Sequence, residues 1–197
     1  MRHIWICAWV GVAACAAPAK PVTKPAVAID VRAIKTWEDF IAAWRKRVAG
    51  GVGSREALAL YDSAKKTPTE AAFARCIERA QRAADEWGEA ACAVAAYETM
   101  DAPRDLSFER ATQWTTLGSR LVARLVGEHN GAYALCLNNL AVLKDVQGEG
   151  RAARILFERA LAIQEATLGP RHPDVAAALS NLCSTLRAQG DLQAAGL

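Results

Sequence analysis

"ALCLNNLAVLKDVQGEG", Ala134 to Gly150, is followed by "AALSNLCSTLRAQGD", Ala177 to Asp191, and the second reads as a worn copy of the first. Asn139-Leu140 precedes Asn181-Leu182 by 42 residues, and Gly148 precedes Gly190 by the same interval. A fixed period of this size marks stacked helix pairs, because one pair cannot bury its apolar face until a neighbour covers it. The better-preserved unit runs "AYALCLNNLAVLKDVQGEGRAARILFERALAIQEATLGPRHPD", Ala132 to Asp174. Its first helix should end near Gly148. Its second, from about Gly150 to Leu168, places Ala153, Leu156, Phe157, Ala160 and Leu161 on one stripe, with small Ala where two helices must approach closely. Gly169 suits the stop, and Pro173 suits the first position of the next helix.

The rest of the chain from Thr36 is also patterned for helices. "TWEDFIAAWRKRVAGG" has Thr36 as cap, acids in the first turn, bases in the last, Trp37, Phe40, Ile41, Trp44 and Val48 on one face, and a Gly50-Gly51 stop. Further helices are expected over Ser54 to Lys66, Thr69 to Glu86, Glu89 to Met100 and Ser107 to Val126. No stretch alternates with period two over a useful length. The fold class is all-α.

Leu140, Gly148, Ala153, Phe157 and Ala160, at this spacing, resemble the tetratricopeptide repeat. The longer period, with "FERALAIQEATLGPRHPDVA", resembles the kinesin-light-chain subtype, whose second helix is extended. The resemblance implies an α-solenoid, a right-handed superhelix of antiparallel helix pairs. Its concave face, lined by first helices, would hold a protein segment or extended peptide. It also implies that Asn139 and Asn181 match the Asn that faces ligand in such repeats; the alternative is that each Asn bonds a neighbouring helix. Asn138 ranks lower, since Ser180 replaces it in the next unit.

Moving the frame back by 42 sets Val126-Gly127 against Leu168-Gly169 and Ala111 against Ala153. Glu89 to Met100 and Ser107 to Val126 then form an earlier unit that lacks the expected Gly at Leu106 and the aromatic at Thr115. The organisation expected is divergent N-terminal helices over 36–87 and repeats over 88–197. The last repeat is incomplete at Leu197, with an apolar edge that points to a fragment of a longer solenoid or to assembly through that edge.

The first residues read as a targeting segment. "MRHIWICAWVGVAACAAPAK" has a basic residue, an apolar run from Ile4 to Ala14 and then small residues, the layout of a secretory signal. Eleven apolar residues rise only about 16 Å as a helix, short of the roughly 30 Å hydrocarbon core. Val12 to Cys15 resembles the lipobox of bacterial lipoproteins. It implies a signal peptide over 1–14, lipid attachment at Cys15 and a Pro/Ala/Lys tether over 15–35. Ala16, in place of an Asp, favours the outer membrane, facing the periplasm. The alternative is plain secretion after cleavage at Ala16.

Twenty-four basic and 21 acidic residues are mixed along the chain, giving a net charge of +3, without the clustered positive charge that nucleic acid requires. Cys76, Cys92, Cys136 and Cys183 have no Cys-x-x-Cys spacing and no partnering His, so no metal site is expected. Each falls in a helical stretch where a buried thiol is the ordinary role, with a disulfide open in an oxidising compartment. His172-Pro173-Asp174 matches the tripeptide of J-domain cochaperones but occupies the turn of the repeat. No phosphate loop, nucleophile elbow or kinase motif occurs. A non-catalytic scaffold is expected, without cofactor or small-molecule substrate.

Overall fold

The computed structural model describes residues 28–100 and 106–190. A 3-10 turn at Val31–Ala33 leads into α1 (Trp37–Ala49), α2 (Arg55–Lys66), α3 (Glu70–Arg82), α4 (Glu86–Thr99), α5 (Phe108–Val126), α6 (Gly131–Val146), α7 (Gly150–Leu168) and α8 (Pro173–Ala188). From α2 onward each helix packs on the next in sequence, so the chain is an all-α stack of antiparallel pairs. Among the described residues there is no strand, and no helix long and apolar enough to cross a membrane.

Local chemistry sets the boundaries. Thr36 and Asp39 form a reciprocal capping box at α1. Ser54, Thr69 and Ser107 each accept a hydrogen bond from a backbone N–H in the first turn of the following helix. Gly127 and Gly169 follow α5 and α7 with φ of 92° and 85°, while Gly148 and Gly190 have φ of 79° and 77°. These are two sets of left-handed glycines, each separated by the 42-residue period, at positions where a Cβ would be strained.

Ala153, Phe157 and Ala160 are buried on α7. In the earlier pair Gly118 occupies the place of Ala160, and a Cβ there would stand 2.6 Å from Val94 Cγ2 of α4. Thr115 replaces the aromatic and is fully buried, with Trp114 beside it at 8% exposure supplying the ring volume. The period therefore persists backward through different side chains.

Four expectations need correction. The helix expected to reach Glu86 stops at Arg82, and Ala84 turns with φ of 51°. Asp85 then caps α4 at Glu86, earlier than Glu89, because its carboxylate is the acceptor for three N–H groups. The tether does not extend to residue 35: Ile34 is 4% exposed, and its carbonyl accepts from Asn130 at the start of α6. Cys76 and Cys92 are not thiols but a disulfide joining α3 to α4. The signal, Cys15 and most of the tether lie outside the described residues.

Candidate functional site

Helix α1 lies across the stack, touching α2, α4 and α6, the first helices of successive pairs. Its aromatic face drives this. Trp37 stacks on Phe40 at 5.1 Å, Phe40 stacks on Trp87 of α4 at 4.6 Å, and Trp44 meets Tyr61 of α2 edge-on at 5.4 Å. Arg45 pairs with Asp62 of α2. At α6 the approach is so close that a Cβ on Gly131 would fall 2.0 Å from the Lys35 carbonyl oxygen. The chain's own α1 thus covers the starts of α4 and α6. It also explains why α4 is buried on all sides from Ala90 to Ala96.

The later parts of the first helices remain for anything else to touch. Glu98 stands in the last turn of α4 and keeps contact with solvent. The surrounding protein still costs its ionised form, and burial pushes its carboxyl up to about 7. The Asn139 amide and Lys65 of α2 oppose this, while Glu38 of α1 and Asp174 of α8 add to it. Burial also raises Tyr97 beside it, and pushes Tyr61 up to about 12. Charges on α1, α2 and α8 and an amide on α6 thus act on this carboxyl of α4.

The three Asn candidates stand in different states. Asn181 of α8, half-buried, donates its Nδ2 to Asn138 Oδ1 of α6 at 3.2 Å. That bond links neighbouring first helices, so Asn138 is more closely tied to the repeat interval than its sequence rank suggests. Asn139 is 6% exposed, and its Nδ2 makes no hydrogen bond of ordinary length and angle, the Glu98 carboxylate being in weak contact with it. The same amide is near enough to Glu98 to lower the carboxyl's pKa against the larger effect of burial. A buried donor without a partner is costly, on the order of 1–3 kcal/mol, and such groups persist where a ligand or water completes them.

Glu98, Lys65 and Glu38 were not singled out from sequence. The available signal was a lone carboxylate closing the apolar run "AACAVAAYE", in a helix with no opposite polar face. His172, by contrast, is explained by structure: its Nδ1 accepts from the Asp174 backbone N–H, and Pro173 opens α8. It is a helix cap. Cys136 is fully covered and burial pushes its thiol up, which makes it unreactive, while Cys183 is half-buried. Among the described residues, no group of His, Cys, Asp and Glu gathers as metal ligands would.

Residues 133–195 match the family model for the tetratricopeptide repeat. No curated protein matches. Among solved structures, the chain is similar to the crystal structure of BtubC (BKLC) from P. vanneervenii, with a TM-score of 0.58 and 26% sequence identity. The similarity covers 69% of this chain and 52% of that one, so the chain spans about half the length of that relative. The fold is a tetratricopeptide-like α-solenoid, with the repeat sequence itself concentrated in α6, α7 and α8.

Proposed function

We propose that the protein is a non-catalytic scaffold that holds an extended peptide, or an extended segment of a partner protein, against the open part of its first helices. Tetratricopeptide repeats generally serve protein–protein interaction, and the 42-residue period supports the kinesin-light-chain-like subtype. The single observation that carries the reading is Asn139: a nearly buried carboxamide whose Nδ2 makes no hydrogen bond of ordinary geometry, on the helix whose neighbouring Asn138 is bonded to Asn181. A peptide carbonyl supplies the acceptor this donor lacks, and backbone recognition of that kind needs no particular sequence.

The site of action proposed is the bacterial cell envelope, with lipid on Cys15 and the helical domain facing the periplasm from the outer membrane. Support comes from the apolar run, from Val12 to Cys15, and from the Cys76–Cys92 bridge, which suits an oxidising compartment. The secreted alternative shares that compartment. Cys15→Ser separates the two: loss of fatty-acid labelling and release from membranes supports the anchor, whereas an unlabelled parent contradicts it.

A photocrosslinking residue at position 138, on the full chain in envelopes, tests the scaffold reading. One reproducible partner segment, lost when position 181 is also changed to Ala, supports it; crosslinks only to copies of the chain contradict it. That second outcome favours assembly through the far edge, where Leu179 of α8 is 42% exposed.

A further inference from the structure

The 3-10 turn meets the α5–α6 turn and the end of α7 at two clefts, of about 340 and 270 Å³. Both are walled by His129, Ala166 and Thr167, so they are two lobes of one site. Close contacts hold its frame. Asn130 donates to the Ile34 carbonyl, Gly131 approaches the Lys35 carbonyl too closely for a Cβ to fit between them, and the Thr167 hydroxyl donates to the Ile163 carbonyl at 2.8 Å. Asn138, Asn139 and Asn181 do not line either lobe, so the site is independent of the peptide-binding reading.

The lobes differ in character. The smaller is lined by Ala162, Ile163 and Ala166 of α7, and the charges at its rim, Arg159 and Glu128, are paired with each other. The larger is lined by Val31, Ile34 and Val126, together with the cations Arg32 and Lys35. These cations are not equivalent. Lys35 stands beside Asp39, whose carboxylate accepts its backbone N–H at 3.0 Å and offsets its charge. Asp30 accepts only the backbone N–H of Arg32, at 3.0 Å, and the guanidinium makes no hydrogen bond or ion pair with a described residue. The exposed His129 ring has no such partner either.

An apolar lobe beside one uncompensated cation selects a ligand with both characters. A phosphate monoester would bring about 1.5 to 2 negative charges to a place where one cation stands free. A carboxylate brings one, its two oxygens match the guanidinium fork, and a His129 ring N–H can donate to the same head. At roughly 30 Å³ for each water-sized group, the smaller lobe seats about nine heavy atoms. We propose that this cleft binds a small amphiphilic carboxylate, with an alkyl chain of about eight carbons over Ile163 and the head between Arg32 and His129.

The test titrates octanoate, octan-1-ol, butyrate and N-acetyl-leucine in turn into the full chain while the histidine ring resonances are followed by NMR. His172, whose ring caps α8, is the internal control. Octanoate should shift His129 and leave His172 in place. It should bind on the order of ten-fold tighter than octan-1-ol, which lacks the charge, and at least about ten-fold tighter than butyrate, which lacks four methylenes. Arg32→Gln should remove the preference over octan-1-ol. Ala162→Trp, which places an indole in the apolar lobe, should abolish octanoate binding; unchanged helical melts confirm that both variants fold. Equal binding of octanoate and octan-1-ol, or a preference that survives in Arg32→Gln, overturns the head-group assignment. Binding of octanoate no tighter than butyrate, or undiminished in Ala162→Trp, overturns the seat given to the chain. N-acetyl-leucine binding tighter than octanoate overturns the ligand class in favour of a protein C-terminus. No shift of His129 by any probe overturns the site altogether, and the peptide-binding reading, carried by Asn139, is untouched by that result.

Discussion

Trp44 of α1 donates its indole N–H to the carboxylate of Asp85, the cap of α4, across 3.0 Å in the buried core. The same carboxylate accepts the Ser54 N–H at 2.8 Å and the Gly88 N–H at 3.1 Å. One side chain therefore fixes α1, the start of α2 and the start of α4 together. The position of α1 across the stack depends on it, and so does how much of the first-helix surface remains open.

Removing that acceptor should be severe. Asp85→Ala leaves three buried N–H groups unpaired and should cost about 3 kcal/mol or more in urea unfolding. Trp44→Phe keeps the ring and removes one bond, at about 1 kcal/mol. Equal midpoints for parent and Asp85→Ala would contradict the role given to this residue.

The repeat frame makes a packing prediction. Ala160 is fully buried where α7 meets its neighbours, so Ala160→Trp overpacks that contact and should destabilise by about 1–3 kcal/mol with a broader melt. Ala162, exposed on the same helix, should tolerate the same change. Similar melts for both variants would show the frame to be misplaced.

The disulfide separates Cys76 from Cys92 by 16 residues. Closing a loop of about that size limits the unfolded chain by roughly 3 kcal/mol. Peptide mapping without reductant should recover the two cysteines as one linked species, and reduction should lower the melting temperature. Alkylation of Cys76 in the unreduced, unfolded protein contradicts the pairing.

Glu98 gives a pH prediction. Its folded pKa, about 7, exceeds the ordinary 4.5, so the protonated form is favoured by folding. That contribution is fully present below 4.5 and is lost as pH rises through about 7. Glu98→Gln mimics the neutral form, so the variant should melt above the parent at about pH 8 and alongside it at about pH 4. A constant difference across that range rules out titration of this carboxyl.

What the sequence made readable was set by short-range chemistry. The period linking Asn139 to Asn181 and Gly148 to Gly190 reported the stack, since left-handed turns need Gly and close helix contacts need Ala. The aromatic face of α1 was equally visible, as Trp37, Phe40 and Trp44 fall on one side. Its destination was not: nothing local reveals that Phe40 will meet Trp87, or that Asn130 will hold the Ile34 carbonyl 96 residues away. The Asn set was legible as a ladder, but the difference between a bonded Asn181 and a weakly held Asn139 arises from neighbours across helices. The raised pKa of Glu98 arises from burial and from charges on other helices, which no local pattern reports.

The central claim is that the Asn139 amide is reserved for a ligand. Because its Nδ2 makes no hydrogen bond of ordinary length and angle, Asn139→Ala removes at most a weak contact to Glu98, whereas Asn181→Ala removes the hydrogen bond to Asn138. The direct measurement is affinity for the crosslinked partner peptide together with the melting temperature for Asn139→Ala, Asn181→Ala and the pair. Asn139→Ala should weaken binding several-fold, the loss of about 0.5–1.5 kcal/mol expected for a neutral hydrogen bond, with the melt unchanged or slightly raised. Undiminished affinity with a lowered melting temperature would contradict the account and make Asn139 a structural residue of the α4–α6 contact.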